Sequence, residues 1–342
     1  MGSVKALAVD REPTVSELGR GTFEFSDAYS VFDWGPMPST IPDKGASLCA
    51  MGAATFEALE DAGVPTHYLG VGRASDPQEL AELTDPPTEM AIEVTRVPDL
   101  PVADDGYDYE TYHRSAGEHY LIPLEVIYRN EVPVGSSLRR RSEPADHDLD
   151  YAEWPDHSIE LAVPIVEYST KFESTDRYLD RDEAAEIAGE ASLEAIDDVV
   201  RTVNRVVSDM AEIAGLSLLD GKIECLWHDR TVNVADVAGT LDENRFAAEG
   251  RQLSKEVLRQ YHTSVDPEWV SAVSRAKREA ASDDDPNWKA RVAAEPGTLP
   301  SPVIETISAM YGSVANAYID QQLFGAPPVH AVADSIGKID GA

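Results

Sequence analysis

The sequence predicts a chain of mixed α and β structure, and three stretches carry that prediction. Residues 216–236 alternate apolar and polar side chains on both sides of a short polar break, His228-Asp229-Arg230, as two strands joined by a tight turn would. Just upstream, Leu193, Ile196, Val199, Val200, Val203, Val206, Val207, Met210 and Ile213 recur three or four apart, the stripe of an amphipathic helix stopped by Gly215. After Phe246 the text turns mostly helical, with Asp266-Pro267 and Ser301-Pro302 as cap-then-proline helix starts.

Composition narrows the function classes. At 342 residues the chain can bury a large core, and its length suggests roughly two domains. It carries 63 acidic against 28 basic residues, a net charge of -35. Such a surface repels phosphate backbones and anionic membranes, which argues against nucleic-acid and peripheral-membrane roles. A hydrophobic fraction of 42% is too high for the charge to mean disorder. The acidic surplus is spread along the whole length, as expected of a protein adapted to concentrated salt, so instability in dilute buffer is predicted. Cys49 and Cys225 are too few and too far apart for a disulfide framework or a cysteine metal site. With neither a leader-like N-terminus nor an apolar run of membrane length, the expected compartment is the cytoplasm.

Taken in order, Gly2 to Val9 reads as a first strand carrying Lys5, residues 10–21 as polar and turn-rich, and Thr22 to Phe25 as a second strand. Neither Gly19-Arg20-Gly21 nor Gly70-Val71-Gly72 continues into a dinucleotide fingerprint, which discounts a Rossmann site. Ser26 to Gly45 is a loop stiffened by Gly35, Pro36, Pro38 and Pro42 and bearing Asp33 and Lys44. A helix is predicted from Ser47 to Ala62, with Gly63 at its C-terminal cap. A strand starts at Val64, where His67 reads as structural rather than as a ligand, and another runs from Met90 to Val97. Asp99 to Gly117 reads as an acidic surface insertion. Glu160 to Val166 forms a strand and Glu167 to Asp176 a polar loop. Asp180 with Glu183 makes a capping box for a helix ended by Gly189. Farther on, Ser254 could cap 255–262, residues 282–286 make an acidic break, and the tail from Gly325 looks loosely structured.

The chemistry is expected on the 216–236 strand pair. Asp220, Lys222 and Glu224 are two apart, so all three leave one face of a strand, and Asp236 ends the partner strand close by. Carboxylates there could hold Mg²⁺ while the lysine sits on a phosphate, although a solvated charged face is the ordinary alternative. A second stretch, His119 to Arg141, combines a buried-looking strand delivering Arg129 with Gly135-Ser136 and the densest basic run of the chain. Arginine forks, a hydroxyl and glycine amides are what a phosphate monoester needs.

With those residues in view, the chain resembles the phosphoribosylaminoimidazole-succinocarboxamide synthase family of purine-pathway ligases over most of residues 1 to about 262. The most specific piece is Ile122-Pro123-Leu124-Glu125-Val126-Ile127-Tyr128-Arg129 ending in Gly135-Ser136; the second is Leu218-Leu219-Asp220-Gly221-Lys222-Ile223-Glu224. Gly2 to Lys5, Phe32-Asp33, Ile41 to Gly45, Ser169-Thr170-Lys171 with Asp176, and Asp242 with Arg245 support it. The resemblance implies an α+β fold in two lobes: a smaller β-rich N-terminal lobe at 1–98, a larger one at 99–262, a nucleotide cleft between them, and a helical extension at 263–342 that could pack between subunits of a homo-oligomer.

It also implies a reaction. ATP phosphorylates the carboxylate of a carboxyaminoimidazole ribonucleotide, the amine of L-aspartate displaces the phosphate, and ADP and phosphate leave as the amide forms. By position, Lys5 and Lys222 would contact ATP phosphates, Glu224 and Asp236 would hold Mg²⁺, and Lys222, Glu224 and Asp236 would be catalytic. Arg129, Ser136 and Arg245 would hold the ribonucleotide; Lys171 and Asp176, with Asp33 and Lys44, would border the substrate site. The sequence departs from the family pattern at Val237, where a second acid is usual, and at Cys225-Leu226, in the Arg129–Gly135 spacing and in Gly239 to Arg245. Two other readings stay open: a kinase-like phosphotransferase and a non-catalytic nucleotide-binding relative.

Overall fold

The computed structural model describes residues 4–103, 106–173, 176–282 and 287–339. Strands β1 (Lys5–Arg11), β2 (Gly19–Phe25), β3 (Tyr68–Val71) and β4 (Glu89–Val94) form an antiparallel sheet in the order β1-β2-β4-β3. Helix α1 (Lys44–Asp61) packs on it. Alanines and glycines on α1 let neighbours approach on nearly every side, so it is buried almost all round, as a core helix should be. His67 is structural as expected: it is buried between the rings of Phe23 and Phe56.

Residues expected to form only a surface insertion are better anchored than that. A two-stranded ribbon of β5 (Val102–Ala103) and β6 (Gly106–Tyr107) leads into α2 (Tyr109–Ala116), capped by Asp108, whose carboxylate accepts the Thr111 N–H at 2.8 Å. Tyr112 and Ala116 of this helix are buried in the core, a pairing three to four residues apart that the surrounding Asp, Tyr and Gly concealed.

The second sheet contains β7 (Tyr120–Val132), β8 (Ile159–Thr170), β9 (Tyr178–Leu179), β10 (Ser217–His228), β11 (Thr231–Ala235), β12 (Asn244–Ala248) and β13 (Arg251–Leu253). All are antiparallel, in the order β13-β12-β10-β7-β8-β9, with β11 also paired to β10. Helix α3 (Arg181–Ala188) carries the predicted Asp180–Glu183 capping box, and α4 (Leu193–Ile213) lays its apolar stripe against β7, β10 and β11. One boundary differs. Strand β8 runs on to Thr170, so Glu167 to Thr170, expected in a loop, pair with Ile127 to Leu124 of β7. Tyr168 is the apolar residue that keeps the strand period going through this polar stretch.

Among the described residues four α-helices follow: α5 (Glu256–Val265), α6 (Pro267–Ser282), α7 (Ser301–Tyr318) and α8 (Val329–Ile339). The hydroxyl of Ser254 accepts the Glu256 N–H at 3.2 Å and Asp266 accepts the Trp269 N–H at 3.1 Å, two of the expected starts. At α7 the helix begins one residue early, with Pro300 rather than Ser301 in the preceding position. The expected acidic break lies mostly outside the described residues. The tail is not loose: α8 buries Val332, Ala333 and Ile336 against α7 and β13. Its apolar residues do fall three or four apart, but Gly325 and Pro327-Pro328 just ahead of them read as loop. Among the described residues no helix is long and apolar enough to cross a membrane.

Candidate active site

Strand β10 is central in its sheet, and its polar face is fully engaged. Asp220, Lys222 and Glu224 do leave one face, and each meets a different partner. Asp220 takes Arg129 Nη1 at 3.0 Å from β7 and Arg245 Nε at 2.7 Å from β12. Its carboxylate is therefore spent on two guanidinium groups and does not offer oxygens to a metal, a correction to the broader expectation for this face. Lys222 Nζ lies 2.7 Å from Glu125 and 3.3 Å from Glu243, and Glu224 is ion-paired with Lys171. Gly221 sits between them because the other side of the strand has no room: a β-carbon there would collide with Asn244 and Tyr128, which are joined by a 2.6 Å hydrogen bond.

The end of the hairpin supplies the second acid. Asp236 follows β11 in a left-handed conformation with φ 60°, and Lys5 of β1 reaches its carboxylate at 2.5 Å. The ring of His67 donates from Nε2 to the Asp236 carbonyl at 3.1 Å; burial pulls this imidazole down to about 4, so it stays neutral. Next in sequence, Val237 is buried in the core, where its side chain packs on α1 at Gly52.

These charges set each other. Burial pushes the Glu224 carboxyl up to about 7, and the neighbouring charge of Asp236 adds to the shift against the pull of Lys171 and Lys222. Asp236 goes the other way: burial would raise it, but Lys5 and Lys171 outweigh burial and hold it below the usual range. Burial also opposes charge on Lys222, yet Glu243 and Glu125 keep it firmly protonated.

Beside this cluster lies a cavity of about 630 Å³ between β7, β10, β12, α5 and the loop after β7. Of the predicted residues, Asp33, Arg129, Asp176, Lys222 and Arg245 line it. Four others, Lys5, Lys171, Glu224 and Asp236, form the adjoining ion-paired cluster at the hairpin. Two are elsewhere. Lys44 is wholly buried, 2.8 Å from Asp242, and Ser136 is buried in its loop with its hydroxyl accepting the Leu138 N–H at 3.3 Å, while Gly135 and Ser137 make the wall.

The basic run divides its labour. Arg139 clamps the loop by donating to the Val132 and His157 carbonyls at 2.6 Å, Arg141 pairs with Glu167 at 2.8 Å and stacks on Tyr178, and Arg140 lines the cavity. Sequence reasoning missed Lys255 and Arg259, which also line it, Lys255 from the cap position ahead of α5 and Arg259 from its first turn. Their spacing of four on one helix face, in a chain so short of positive charge, was the available signal. Guanidinium and ammonium groups converging on one cavity suit an anionic, phosphate- or carboxylate-bearing ligand.

Comparison with known proteins agrees with this chemistry. A sequence model of the family described as SAICAR synthetase matches residues 14–276. A putative phosphoribosylaminoimidazole-succinocarboxamide synthase of Archaeoglobus fulgidus is 38% identical over 347 residues, covering 99% of each chain. The synthase of Thermoplasma acidophilum is 34% identical over 257 residues, 71% of this chain and 78% of its own. Among solved structures, the Saccharomyces cerevisiae synthase complexed with SAICAR superposes with a TM-score of 0.60 at 18% identity, over 92% of this chain and 96% of the other. A SAICAR synthetase in complex with ADP gives 0.53 at 22%, over 87% and 99%. At those identities the structures speak for the fold alone, which is the expected α+β one. The protein is an ATP-dependent carbon–nitrogen ligase of purine biosynthesis. The chain belongs to the SAICAR synthetase family, which joins aspartate to a carboxylated aminoimidazole ribonucleotide with the use of ATP.

Proposed function

We propose that this chain performs the family's ligation with nucleotide phosphates at the Lys5, Lys222, Glu224 and Asp236 cluster and the ribonucleotide in the adjoining cavity. The observation that carries this reading is the position of Lys222: its ammonium stands on the same strand face as Glu224 and also lines the cavity, so a phosphoryl group passing between the two regions stays within its reach. Arg129 and Arg245, clamped together by Asp220, hold the ribonucleotide, with the Gly135-Ser136-Ser137 loop at its phosphate. Lys171, Asp176 and Asp33 border the aspartate.

Magnesium fits this donor set. Glu224 is a buried carboxylate whose ionisation is opposed by burial and by the charge of the half-buried Asp236, a cost that a cation beside them would relieve. Among the described residues no group of three or more His, Cys, Asp or Glu forms an all-protein cage. Mg²⁺ commonly binds through one or two carboxylates together with substrate phosphates and water, so two acids suffice. Glu224 and Asp236 would hold the ion, which would supply charge neutralisation at the phosphates.

The chain's own groups then handle orientation and protons. A carboxylate is a poor acyl donor until it is phosphorylated, and catalysis of that step is alignment plus charge stabilisation. Lys222 stabilises charge on the phosphoryl oxygens. Asp176 lines the cavity with its carboxyl raised above the ordinary range by burial and by the charges of Glu125 and Asp33, which suits a group that accepts a proton from the aspartate ammonium. The acidic surface fits a salt-rich cytoplasm with small-molecule rather than nucleic-acid partners.

The test is ADP release in strong salt, measured with and without L-aspartate and the carboxylated ribonucleotide. Release should need both. Turnover indifferent to aspartate would replace the ligase with a kinase-like phosphotransferase.

A further inference from the structure

Tyr311, on α7, backs the wall of the cavity without lining it. Its ring is fully buried, and its hydroxyl donates to Asp242 Oδ1 at 2.7 Å. The other oxygen, Oδ2, lies 2.8 Å from Lys44 Nζ and 3.7 Å from Lys255 Nζ. Lys44 is as buried as Tyr311, and its ammonium stands 5.3 Å from the centre of that ring. Asp242 and Lys255 line the cavity, whereas Lys44 and Tyr311 do not.

A buried ion pair is tolerated only when its remaining hydrogen-bonding capacity is met. Here one carboxylate faces two ammonium groups and one hydroxyl. Lys44 balances the charge of Asp242, Tyr311 satisfies the oxygen that Lys44 leaves, and Lys255 stays at the looser distance on the cavity side. Burial opposes ionisation of Asp242, but Lys44 and Lys255 hold its carboxyl far below the usual range. A rigid carboxylate of this kind can orient an ammonium without neutralising it, since its own charge is already matched.

We propose that Tyr311 is a positioning residue of the ligation: with Lys44 it fixes Asp242 from behind, and Asp242 in turn aims Lys255 at an anionic group of a substrate. The inference rests on the reading of this cavity as the ligation site. It gives helix α7 a part in the reaction, and it gives Lys44 an indirect one. The anion is a phosphate or carboxylate, carried either by the ribonucleotide or by aspartate.

Tyr311→Phe removes one oxygen atom and keeps the ring, so it isolates the hydroxyl. Steady-state kinetics are read with each substrate varied in turn, alongside ADP affinity. Loss of a buried hydrogen bond to a charged group should raise KM about 10-fold for whichever substrate carries the anion, with ADP affinity unchanged. In an Asp242→Asn background, or in Lys255→Met if that variant does not fold, Tyr311→Phe should add nothing, because its effect passes through those residues. Unchanged KM for both substrates, or a loss that adds in full on both backgrounds, overturns the proposal. Absence of aspartate-dependent turnover in the unaltered protein would instead remove the ligase reading beneath it, and the proposal with it.

Discussion

Glu224 stands opposite Ala235 in the β10–β11 ladder, which brings its carboxyl into the field of Asp236 at the strand end; burial and that field raise Glu224, while Lys5 and Lys171 hold Asp236 down. Lys5 and Lys171 reach one acid each, Lys5 from β1 of the first sheet and Lys171 from just past the end of β8 in the second. The hairpin thus holds two acids in electrostatic tension.

That tension has a sign. The Glu224 pKa is raised from 4.5 to about 7. Between those values the folded protein keeps a proton that the unfolded chain has lost, so this group's contribution to stability falls as pH rises. Glu224→Gln cannot ionise. It should be inactive yet, without nucleotide, more stable than the unaltered protein above neutral pH by up to about 3 kcal/mol, with the advantage fading in acid. Urea unfolding at a series of pH values checks this; a variant that is less stable at alkaline pH would contradict it.

His67 should show the opposite slope. Its pKa is lowered from 6.5 to about 4, so below the upper value the unfolded chain takes up a proton that the folded one refuses. Stability is lost as pH falls through that window, by about 3 kcal/mol in all. His67→Gln should flatten that part of the curve relative to the unaltered protein, even if it lowers stability throughout. An unchanged slope would mean that His67 is not buried neutral.

At Gly221 the prediction is steric. Gly221→Ala drives a methyl group into Asn244 and Tyr128 beneath the strand, at a cost of about 1–3 kcal/mol, and shifts Asp220 and Lys222 on either side. The melting temperature and kcat/KM should fall together. Retention of both would show that the strand has slack.

The charge of -35 makes stability depend on salt. With so few cations to oppose it, self-repulsion is relieved mainly by counterions, so the melting temperature should climb steadily with KCl. A flat response would leave the acidity without the proposed adaptive meaning.

Much of this architecture is readable in the sequence wherever the signal is local. Alternation marks the β10–β11 hairpin, three- and four-residue spacing marks α4, and Asp180 with Glu183 marks the start of α3. Contacts that depend on distant partners are not readable in that way. Nothing near Lys44 says that Asp242 lies beside it, and nothing near Arg139 says that three backbone carbonyls take up its guanidinium. The resemblance suggested substrate contact for Lys44, whereas the fold gives it no access to the cavity. The last four residues of strand β8 and helix α8 were obscured for a different reason: polar residues in one and a Gly-Pro lead-in to the other outweighed the few buried side chains that set the period.

Lys222→Ala probes the shared element of cluster and cavity. Its side chain is about a third exposed, so the fold should survive with its melting temperature nearly unchanged, while turnover drops by about 100-fold or more through lost stabilisation of transferring charge. Activity close to that of the unaltered protein would remove the phosphate from this strand.

A phosphoryl group passed to the substrate carboxylate beside Lys222, and then displaced by aspartate, would carry one carboxylate oxygen away with it. Oxygen-18 in the carboxylate of the ribonucleotide follows that atom directly. One labelled oxygen should appear in the inorganic phosphate released with each amide formed; phosphate without label would contradict the acyl-phosphate route.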